Sequence, residues 1–256
     1  MSSATGVPGS VQSAAQRGLG EDEPLLGRVG DASQQEGKPL YYNLFLGTAI
    51  LAQAGVLLLT ALVWANVLLT PIMLFTAHPL LNSAALLFLV QSILILQPTH
   101  TPGQKRQGTI AHFTLNNLTL DSLIAGLVVI EYNKFAHNGT HFVSPHAILG
   151  LITYIFLAIQ ALVGITAYFL PQLYGSVDKA KSLYKYHRIS GYLILVLMLA
   201  TIAAATQTDF NKNAIHIRLW AVLVSSVLLL VGILPRIKKQ KLGLGSRPLS
   251  SGAFGQ

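Results

Sequence analysis

Cysteine is absent from the 256-residue sequence, and charged residues make up only 10% of it. The first absence excludes disulfide bonds, iron–sulfur clusters and haem bound through a thiolate. The second argues against an ordinary soluble domain, because such domains carry roughly 25% charged residues. Between Pro39 and Gln104 there is no aspartate, glutamate, lysine or arginine. One membrane-spanning helix needs only about 20 residues, so this stretch has to contain at least two spans.

Hydrophobic residues make up 52% of the chain and are concentrated in six stretches. Each stretch is long enough to cross a bilayer as a helix, in which the backbone polar groups satisfy one another. The predicted spans are Tyr42–Trp64, Pro71–Gln97, Gly108–Glu131, Ser144–Leu170, Leu183–Thr206 and Ala214–Leu234. The sequence therefore predicts an all-α fold, a six-transmembrane-helix bundle over residues 41–241. Residues 1–40 and 242–256, rich in glycine, serine and other polar residues, are predicted to be disordered tails.

Lysine and arginine are distributed very unevenly between the two sides of this bundle. Fourteen of the 17 fall on the side that carries both termini and the second and fourth loops. Because cytosolic segments are enriched in these residues, we expect both termini in the cytosol. A glycosylation sequon, Asn138-Gly139-Thr140, falls on the other, lumenal or extracellular, side. The formal charge of +8 is thus accounted for by topology, so the lipid bilayer is the expected partner and nucleic acid is not. An acidic dileucine pattern at residues 21–26 favours an endomembrane (vacuolar, endolysosomal or ER) over the plasma membrane.

Four histidines lie inside the predicted spans, where an ionisable side chain is costly and usually functional. They are His78, His112, His146 and His187, in helices two to five, each within about two turns of the N-terminal end of its span. Because neighbouring helices run in opposite directions, His78 and His146 should lie at one depth, and His112 and His187 at another. The first three are spaced by 34 residues, and the leucine and phenylalanine pattern after His78 repeats after His146. This spacing indicates a two-helix unit used twice, in which the histidines of each pair face each other.

Two facing imidazoles suit the two axial positions of a haem iron, whose remaining chemistry is then electron transfer. Helices two to five are therefore predicted to form a four-helix core that holds two haem b groups. Gly150 and Gly191 follow His146 and His187 by four residues on the same helix face, and the missing side chains leave room for a flat macrocycle. Two alternatives stay open at this point. One is a haem-free transporter of metal ions or protons that uses the same histidines, and the other is a structural role in interhelical hydrogen bonds.

One carboxyl group, Asp121, lies near the middle of the third predicted helix. Asn116 and Asn117 precede it by about one turn. We expect Asp121 to be neutral and hydrogen-bonded rather than to take up a proton together with the electron.

The histidines and their neighbours resemble the cytochrome b561 family of transmembrane di-haem proteins. The motifs are Phe75-Thr-Ala-His78-Pro79-Leu-Leu, His141-Phe-Val-Ser-Pro-His146-Ala-Ile-Leu-Gly150 and Tyr184-Lys-Tyr-His187-Arg188-Ile-Ser-Gly191. In that family the second-helix histidine pairs with the fourth, and the third with the fifth. The resemblance, which looks closest to the short "domain-containing" branch, implies a reductase that takes electrons from cytosolic ascorbate or a similar donor. It passes them to ferric iron or monodehydroascorbate on the other side. The sequence leaves the oligomeric state open, a homodimer included.

The resemblance also implies an anion-binding site for the donor beside the cytosolic histidines. Its predicted basic residues are Arg106, Lys181, Lys105, Lys185 and Arg188. The first two lie six residues before the histidine of their helix, where the family places basic donor-site residues, although the positive-inside rule alone would also put charges there. Ile110 stands where many members carry a second basic residue, which leaves the identity of the donor open. On the other side, His137 resembles the histidine that the family places over the non-cytosolic haem.

Overall fold

A computed structural model describes residues 32–242, which form helices and turns and no β-strand. The dileucine pattern at residues 21–26 and most of the two predicted tails lie outside the described residues. The α-helices of the described part are α1 (Ala49–Leu68), α2 (Ala77–Leu96), α3 (Pro102–Ala136), α4 (Pro145–Phe169), α5 (Val177–Ser182), α6 (Tyr184–Ala205) and α7 (Leu219–Ile233).

Six segments of residues 32–242 are long and apolar enough to cross a membrane. They are Ala49–Leu68, Leu74–Leu96, Pro102–Ala136, Pro145–Phe169, Val177–Ala205 and Leu219–Arg236. The chain is therefore an integral membrane protein, and the predicted all-α six-helix bundle is confirmed. The predicted fifth span, Leu183–Thr206, corresponds to α6, and the short α5 precedes it; the predicted sixth span corresponds to α7.

Two ends of the bundle can be distinguished. The basic end consists of residues 32–44, 97–101, 170–183 and 234–242, together with the first turns of α3 and α6. The opposite end consists of residues 69–76, 137–144 and 206–218. Successive spans run in opposite directions, so these connecting segments alternate between the two ends.

The helix pairs that form the bundle are α2 with α3, α4 with α6, and α1 with α7 and α2. The most deeply buried side chains lie along α1, α2 and α7, for example Leu59, Leu86 and Leu229. Gly55 of α1 allows a close approach, because a Cβ there would lie 2.5 Å from the backbone nitrogen of Leu229. Helices α1 and α7 therefore form one tightly packed layer. The four intramembrane histidines lie outside this layer, on α2, α3, α4 and α6.

The start of α3 differs from the prediction by one and a half turns. The helix begins at Pro102, whereas the hydrophobic pattern predicts Gly108. Thr101 and Gln104 form a capping box, in which each side chain bonds to the backbone N–H of the other. Pro102 occupies the first helical position, where its missing N–H is not needed. The polar first turn of α3 thus extends the helix beyond its apolar part.

Residues 32–39 were predicted to belong to the disordered tail, but they pack against the basic end. Gln34 is only 3% exposed, and its N–H donates to the carbonyl oxygen of Pro98 at 3.1 Å. Asn43, in the 3-10 helix Leu40–Leu44, donates to the side chain of Gln34 at 2.9 Å. The segment is ordered because its polar groups match carbonyls exposed at helix ends, a match that composition does not reveal.

Candidate functional site

His78 on α2 and His146 on α4 face each other towards the opposite end. Their ring centroids are 6.2 Å apart, and the ring planes are nearly perpendicular, at 87°. The Nδ1 atom of His78 lies 2.9 Å from the carbonyl oxygen of Gly126, and that of His146 lies 3.0 Å from the carbonyl oxygen of Thr201. A carbonyl oxygen can only accept, so each Nδ1 carries the proton and donates it. Each Nε2 therefore keeps its lone pair for a metal.

The His78/His146 pair meets the requirements of a haem iron. Two imidazoles that bind one metal through Nε2, at about 2 Å each, have ring centres roughly 6 Å apart, which is close to the separation found here. Metal-bound histidines typically donate their other ring N–H to a backbone carbonyl or a carboxylate, as these two do. Among residues 32–242, no three histidine, aspartate or glutamate side chains converge as a metal-binding group. A paired donor set of this kind suits haem, because the porphyrin supplies the other four ligands.

His112 on α3 and His187 on α6 lie towards the basic end and are close enough to interact electrostatically. The Nδ1 atom of His112 lies 3.0 Å from the carbonyl oxygen of Ser92 and donates to it. His187 is different, because its Nδ1 is buried and has no hydrogen-bond partner within the described part of the chain. The imidazole of His187 packs directly on Gly164 of α4, where a Cβ would lie 2.9 Å from Cε1. Three of the four rings are thus oriented by a backbone carbonyl, and steric fit orients the fourth.

The contacts between α2 and α3 are reciprocal. His78 of α2 donates to Gly126 of α3, and His112 of α3 donates back to Ser92 of α2. Between them, the hydroxyl of Thr119 on α3 contacts the carbonyl oxygen of Ala85 on α2 at 3.4 Å. All three contacts follow one antiparallel register of the two helices.

The glycines near the histidines do not all have the surroundings that the sequence suggests. Gly150 and Gly191 are predicted to make room for a macrocycle, and this stays a prediction. A Cβ at Gly150 would meet only Thr201 Cγ2, at 3.8 Å, whereas one at Gly191 would lie 3.0 Å from the side-chain nitrogen of Gln160. The glycine that makes room for a histidine ring is Gly164, which sequence reasoning did not single out for this role.

Two asparagines are also absent from the sequence-based prediction of the site. Asn82 follows His78 by four residues and donates to its carbonyl oxygen at 2.8 Å. Asn116 follows His112 by four residues, donates to its carbonyl oxygen at 2.7 Å, and also donates to the hydroxyl of Ser92 at 3.1 Å. The signal that could have found them is the His-x-x-x-Asn spacing, one helical turn, which occurs once on α2 and once on α3.

Asp121 is not hydrogen-bonded in the way expected. Its side chain is exposed on the outer surface of α3, and it has no hydrogen-bond partner among residues 32–242. Asn116 and Asn117 donate instead to carbonyls of their own helix, those of His112 and Phe113. The expectation of a hydrogen-bonded Asp121 is therefore wrong, because the two nearest side-chain amides donate to backbone carbonyls one turn before them and not to Asp121.

The five basic residues predicted for donor binding all lie at the basic end, and their surroundings differ. Arg106 is exposed on the first turns of α3. Lys181 is also exposed and forms an ion pair with Asp178 at 3.6 Å. Lys185 lies over the ring of Tyr186, 4.8 Å from its centroid. Among these three exposed cations, Arg106 is therefore the one that has neither a carboxylate nor an aromatic ring as its partner in the described chain.

The other two predicted donor residues are less accessible. Lys105 and Arg188 are partly buried, and the guanidinium of Arg188 donates to the carbonyl oxygen of Lys241 at 2.9 Å. The C-terminal segment thus covers part of the predicted patch. The basic end also acts on His100, because burial and the positive charges of Lys238, Lys241 and Lys105 lower the pKa of this imidazole, against a backbone hydrogen bond that raises it.

At the opposite end, His137 is the C-cap residue of α3. Its side chain is exposed, and its Nδ1 donates to the carbonyl oxygen of Asn133 at 2.8 Å. A cleft of about 260 Å³ lies at the same end, between α6 and α7, and Lys212, His216 and Arg218 are among its lining residues. Sequence reasoning missed this cleft, since its lining comes from a loop with no recognisable motif.

A single buried side chain organises that loop. Asn211 is 6% exposed, and its amide donates to the carbonyl oxygens of Thr206 and Ile217 at 2.9 and 3.0 Å. The N–H of Ile217 donates back to the Asn211 side chain at 3.0 Å. His216 adopts a left-handed backbone, with φ of 52°, within this turn. The basic side chains of the cleft therefore project from a loop with a defined conformation.

A six-span bundle with four intramembrane histidines, two of which face each other, is typical of integral membrane proteins that bind haem and transfer electrons. A family model described as eukaryotic cytochrome b561 matches residues 77–212, which is more than half of the chain and includes all four histidines. The chain therefore belongs to the cytochrome b561 family, and the resemblance predicted from its motifs is confirmed. Membership implies haem b and transmembrane electron transfer, that is, an oxidoreductase activity across the membrane. A comparison with curated proteins finds no match.

Proposed function

We propose that this protein moves electrons across the membrane by means of two haem b groups, one at His78/His146 and one at His112/His187. Bound haem supplies a one-electron ferric/ferrous couple whose two axial positions are both filled. The observation that carries the proposal is the His78/His146 pair, with ring centroids 6.2 Å apart and both Nδ1 atoms committed to backbone carbonyls. These contacts hold two Nε2 lone pairs ready for a single iron.

The depths of the two pairs support a relay across the bilayer. His112 and Gly126 are both on α3, and Gly126 accepts the hydrogen bond of His78. At a rise of about 1.5 Å per residue, the two positions are roughly 21 Å apart along the helix. This distance covers much of a hydrocarbon layer of about 30 Å. The two pairs therefore serve opposite surfaces of the membrane.

The donor in this proposal is ascorbate or a similar reduced anion that binds at the basic end. The exposed Arg106 and the lysine charges that act on His100 both support an anion at this end. Lys105, Lys181, Lys185 and Arg188 complete the proposed donor site. Because cytosolic loops are rich in lysine and arginine, we assign the basic end and both termini to the cytosol. The membrane that the protein spans is proposed to be an endomembrane.

The acceptor is proposed to bind at the opposite end, near His137 and the cleft lined by Lys212, His216 and Arg218. The positive-inside rule does not explain cations on this side of a membrane, so their presence in one cleft supports an anionic acceptor. Monodehydroascorbate and ferric iron held by an anionic chelator both meet this requirement. The activity is thus that of a monodehydroascorbate reductase or a ferric reductase.

The test is the haem content of the purified full-length protein. We expect two haem b per chain, reducible by ascorbate with low-spin b-type absorption bands. His78→Ala and His146→Ala should each remove the same single haem, and His112→Ala and His187→Ala should each remove the other. His216→Ala, at an exposed histidine outside the spans, is the matched control and should retain both.

Two results would contradict the proposal. A folded protein that was supplied with haem and stays colourless would favour a transporter that uses the same histidines. Removal of the same haem by one substitution from each proposed pair would show that the pairing is wrong.

A further inference from the structure

One tyrosine, near the middle of a membrane span, forms hydrogen bonds close to the His78/His146 pair. Tyr154 lies on α4, about two turns beyond His146 and so deeper in the bilayer. Its hydroxyl oxygen is 3.0 Å from Oδ1 of Asn82 and 2.9 Å from the carbonyl oxygen of Leu123. A phenol within a span needs such acceptors, because lipid offers none.

Asn82 connects this hydroxyl to an intramembrane histidine. Its Nδ2 donates to the carbonyl oxygen of His78 at 2.8 Å and lies 3.3 Å from Nδ1 of the same residue. The same Nδ2 also lies against Gly126, where a Cβ would come within 2.5 Å of it. The amide group of Asn82 thus lies beside both the His78 ring and Gly126, whose carbonyl oxygen accepts the Nδ1 proton of His78.

The tyrosine hydroxyl and the carbonyl oxygen of His78 together determine which way this amide points. Donation by Tyr154 to Oδ1 keeps the oxygen of Asn82 away from the His78 ring and the NH2 group towards it. Without the hydroxyl, Oδ1 would be a buried acceptor that has lost this donor, and the amide, then held only through Nδ2, would move away from the His78 ring and Gly126 and loosen the contact between them. The contact between His78 and Gly126 therefore depends on the orientation of Asn82.

We propose that Tyr154 is a positioning residue that acts through Asn82 to hold His78 in its hydrogen bond with Gly126, and so sets the redox equilibrium of the haem at this pair alone. The inference rests on the proposed function. A ring N–H that donates to a well-placed carbonyl makes the imidazole a more basic ligand, which favours the ferric iron. At the other pair, Asn116 donates to the hydroxyl of Ser92, and no tyrosine of residues 32–242 bonds to Asn116.

The decisive variant is Tyr154→Phe, which removes only the hydroxyl. A redox titration of the purified holoprotein should show that one haem becomes easier to reduce, by roughly threefold to tenfold, where tenfold corresponds to about 59 mV for one electron. The haem at His112/His187 should titrate as in the wild type. The low-spin EPR signal of the shifted haem should also change, because its anisotropy depends on the angle between the imidazole planes, 87° for His78 and His146.

Two further variants separate positioning from a general structural effect. Asn82→Ala should shift the same haem, and the double variant Tyr154→Phe/Asn82→Ala should not exceed Asn82→Ala alone, because the two residues act in series. Tyr174→Phe is the matched control, since its hydroxyl bonds Thr166, at 2.7 Å, and should leave both haems unchanged.

Several outcomes would overturn the inference. One is that both haem midpoint potentials stay unchanged in Tyr154→Phe. Another is that the midpoint potential of the His112/His187 haem shifts. A third is that the shifts of the two single variants add up in the double variant. If Tyr154→Phe does not fold, Asn82→Ala alone has to give the selective shift, and its failure to do so has the same consequence. A wild-type protein that does not bind two haems instead contradicts the proposed function, so the two failures can be told apart.

Discussion

Gly164 offers the sharpest test of how the His112/His187 pair is held. A Cβ at this position would lie 2.9 Å from Cε1 of His187 and 3.6 Å from both ring nitrogens. Carbon atoms in contact prefer about 3.5–4.0 Å, so Gly164→Ala has to push the imidazole away by roughly half an ångström or more. Overpacking of this kind costs about 1–3 kcal/mol. Alanine recovers up to about 1 kcal/mol of helix propensity, so the bundle should still fold.

The free-energy cost should therefore weaken haem binding rather than prevent the bundle from folding. Disturbing the shell around a metal-bound histidine typically lowers metal affinity by about 10–100-fold. We expect Gly164→Ala to lose, or to bind more weakly, the haem at His112/His187, so that the ratio of haem to protein falls from two towards one. The ratio is measured by absorption spectroscopy during a haem titration, and a redox titration identifies the haem that stays.

The matched control is Gly103→Ala, in the first turn of α3, where a Cβ would meet nothing within 4 Å. This variant should bind two haems with wild-type midpoints. If Gly164→Ala also retained two haems with unchanged midpoints and affinity, the steric account of His187 would be refuted.

Three other predictions concern the two ends of the bundle. Lys212→Ala and Arg218→Ala should each weaken the binding of an anionic acceptor by about threefold to tenfold. The measurement is the rate at which the reduced protein is reoxidised at low acceptor concentration, which should fall. An unchanged rate at low salt would show that the acceptor does not bind in the cleft. Arg106→Ala should raise the KM for ascorbate more than Lys181→Ala does, because Lys181 already shares its charge with Asp178, and the opposite order would contradict this. Arg236 is 1% exposed, and its Nη2 donates to the carbonyl oxygens of Asn43 and Leu94, whereas Nε and Nη1 have no hydrogen-bond partner in the described chain. An unpaired buried donor costs about 1–3 kcal/mol, so Arg236→Met should leave the free energy of unfolding unchanged or raise it by up to about 3 kcal/mol, and a large loss of stability would show that the Nη2 contacts are needed.

The number and type of the helices could be predicted from the sequence because lipid restricts the choice. An apolar stretch of 20 residues without charges can cross a bilayer only as a helix, whatever its neighbours do. The helix ends could not be predicted in this way. The start of α3 depends on the capping box at Thr101, and α1 begins only at Ala49, after a turn at Gly47 with a φ of 57°.

For the candidate site too, the positions of the residues along the helices could be predicted from the sequence, and the orientations of their side chains could not. The depths of the four histidines follow from their place in each span, and their pairing into two haem sites stays a prediction until haem content is measured. Ring orientation depends instead on which carbonyl lies across the helix interface, such as that of Gly126 or Thr201. The importance of Gly164 over Gly150 depends on packing distances between α4 and α6, which spacing alone does not contain.

The reciprocal bonds between α2 and α3 have a mechanical consequence. A slide of one helix past the other would stretch the His78–Gly126 and His112–Ser92 bonds at the same time, so neither pair can shift without the other. Transporters that work by alternating access need one group of helices to rock against another. A helix pair bonded near both ends resists such sliding, and it would keep the two proposed haem sites at a constant distance without any movement of the helices.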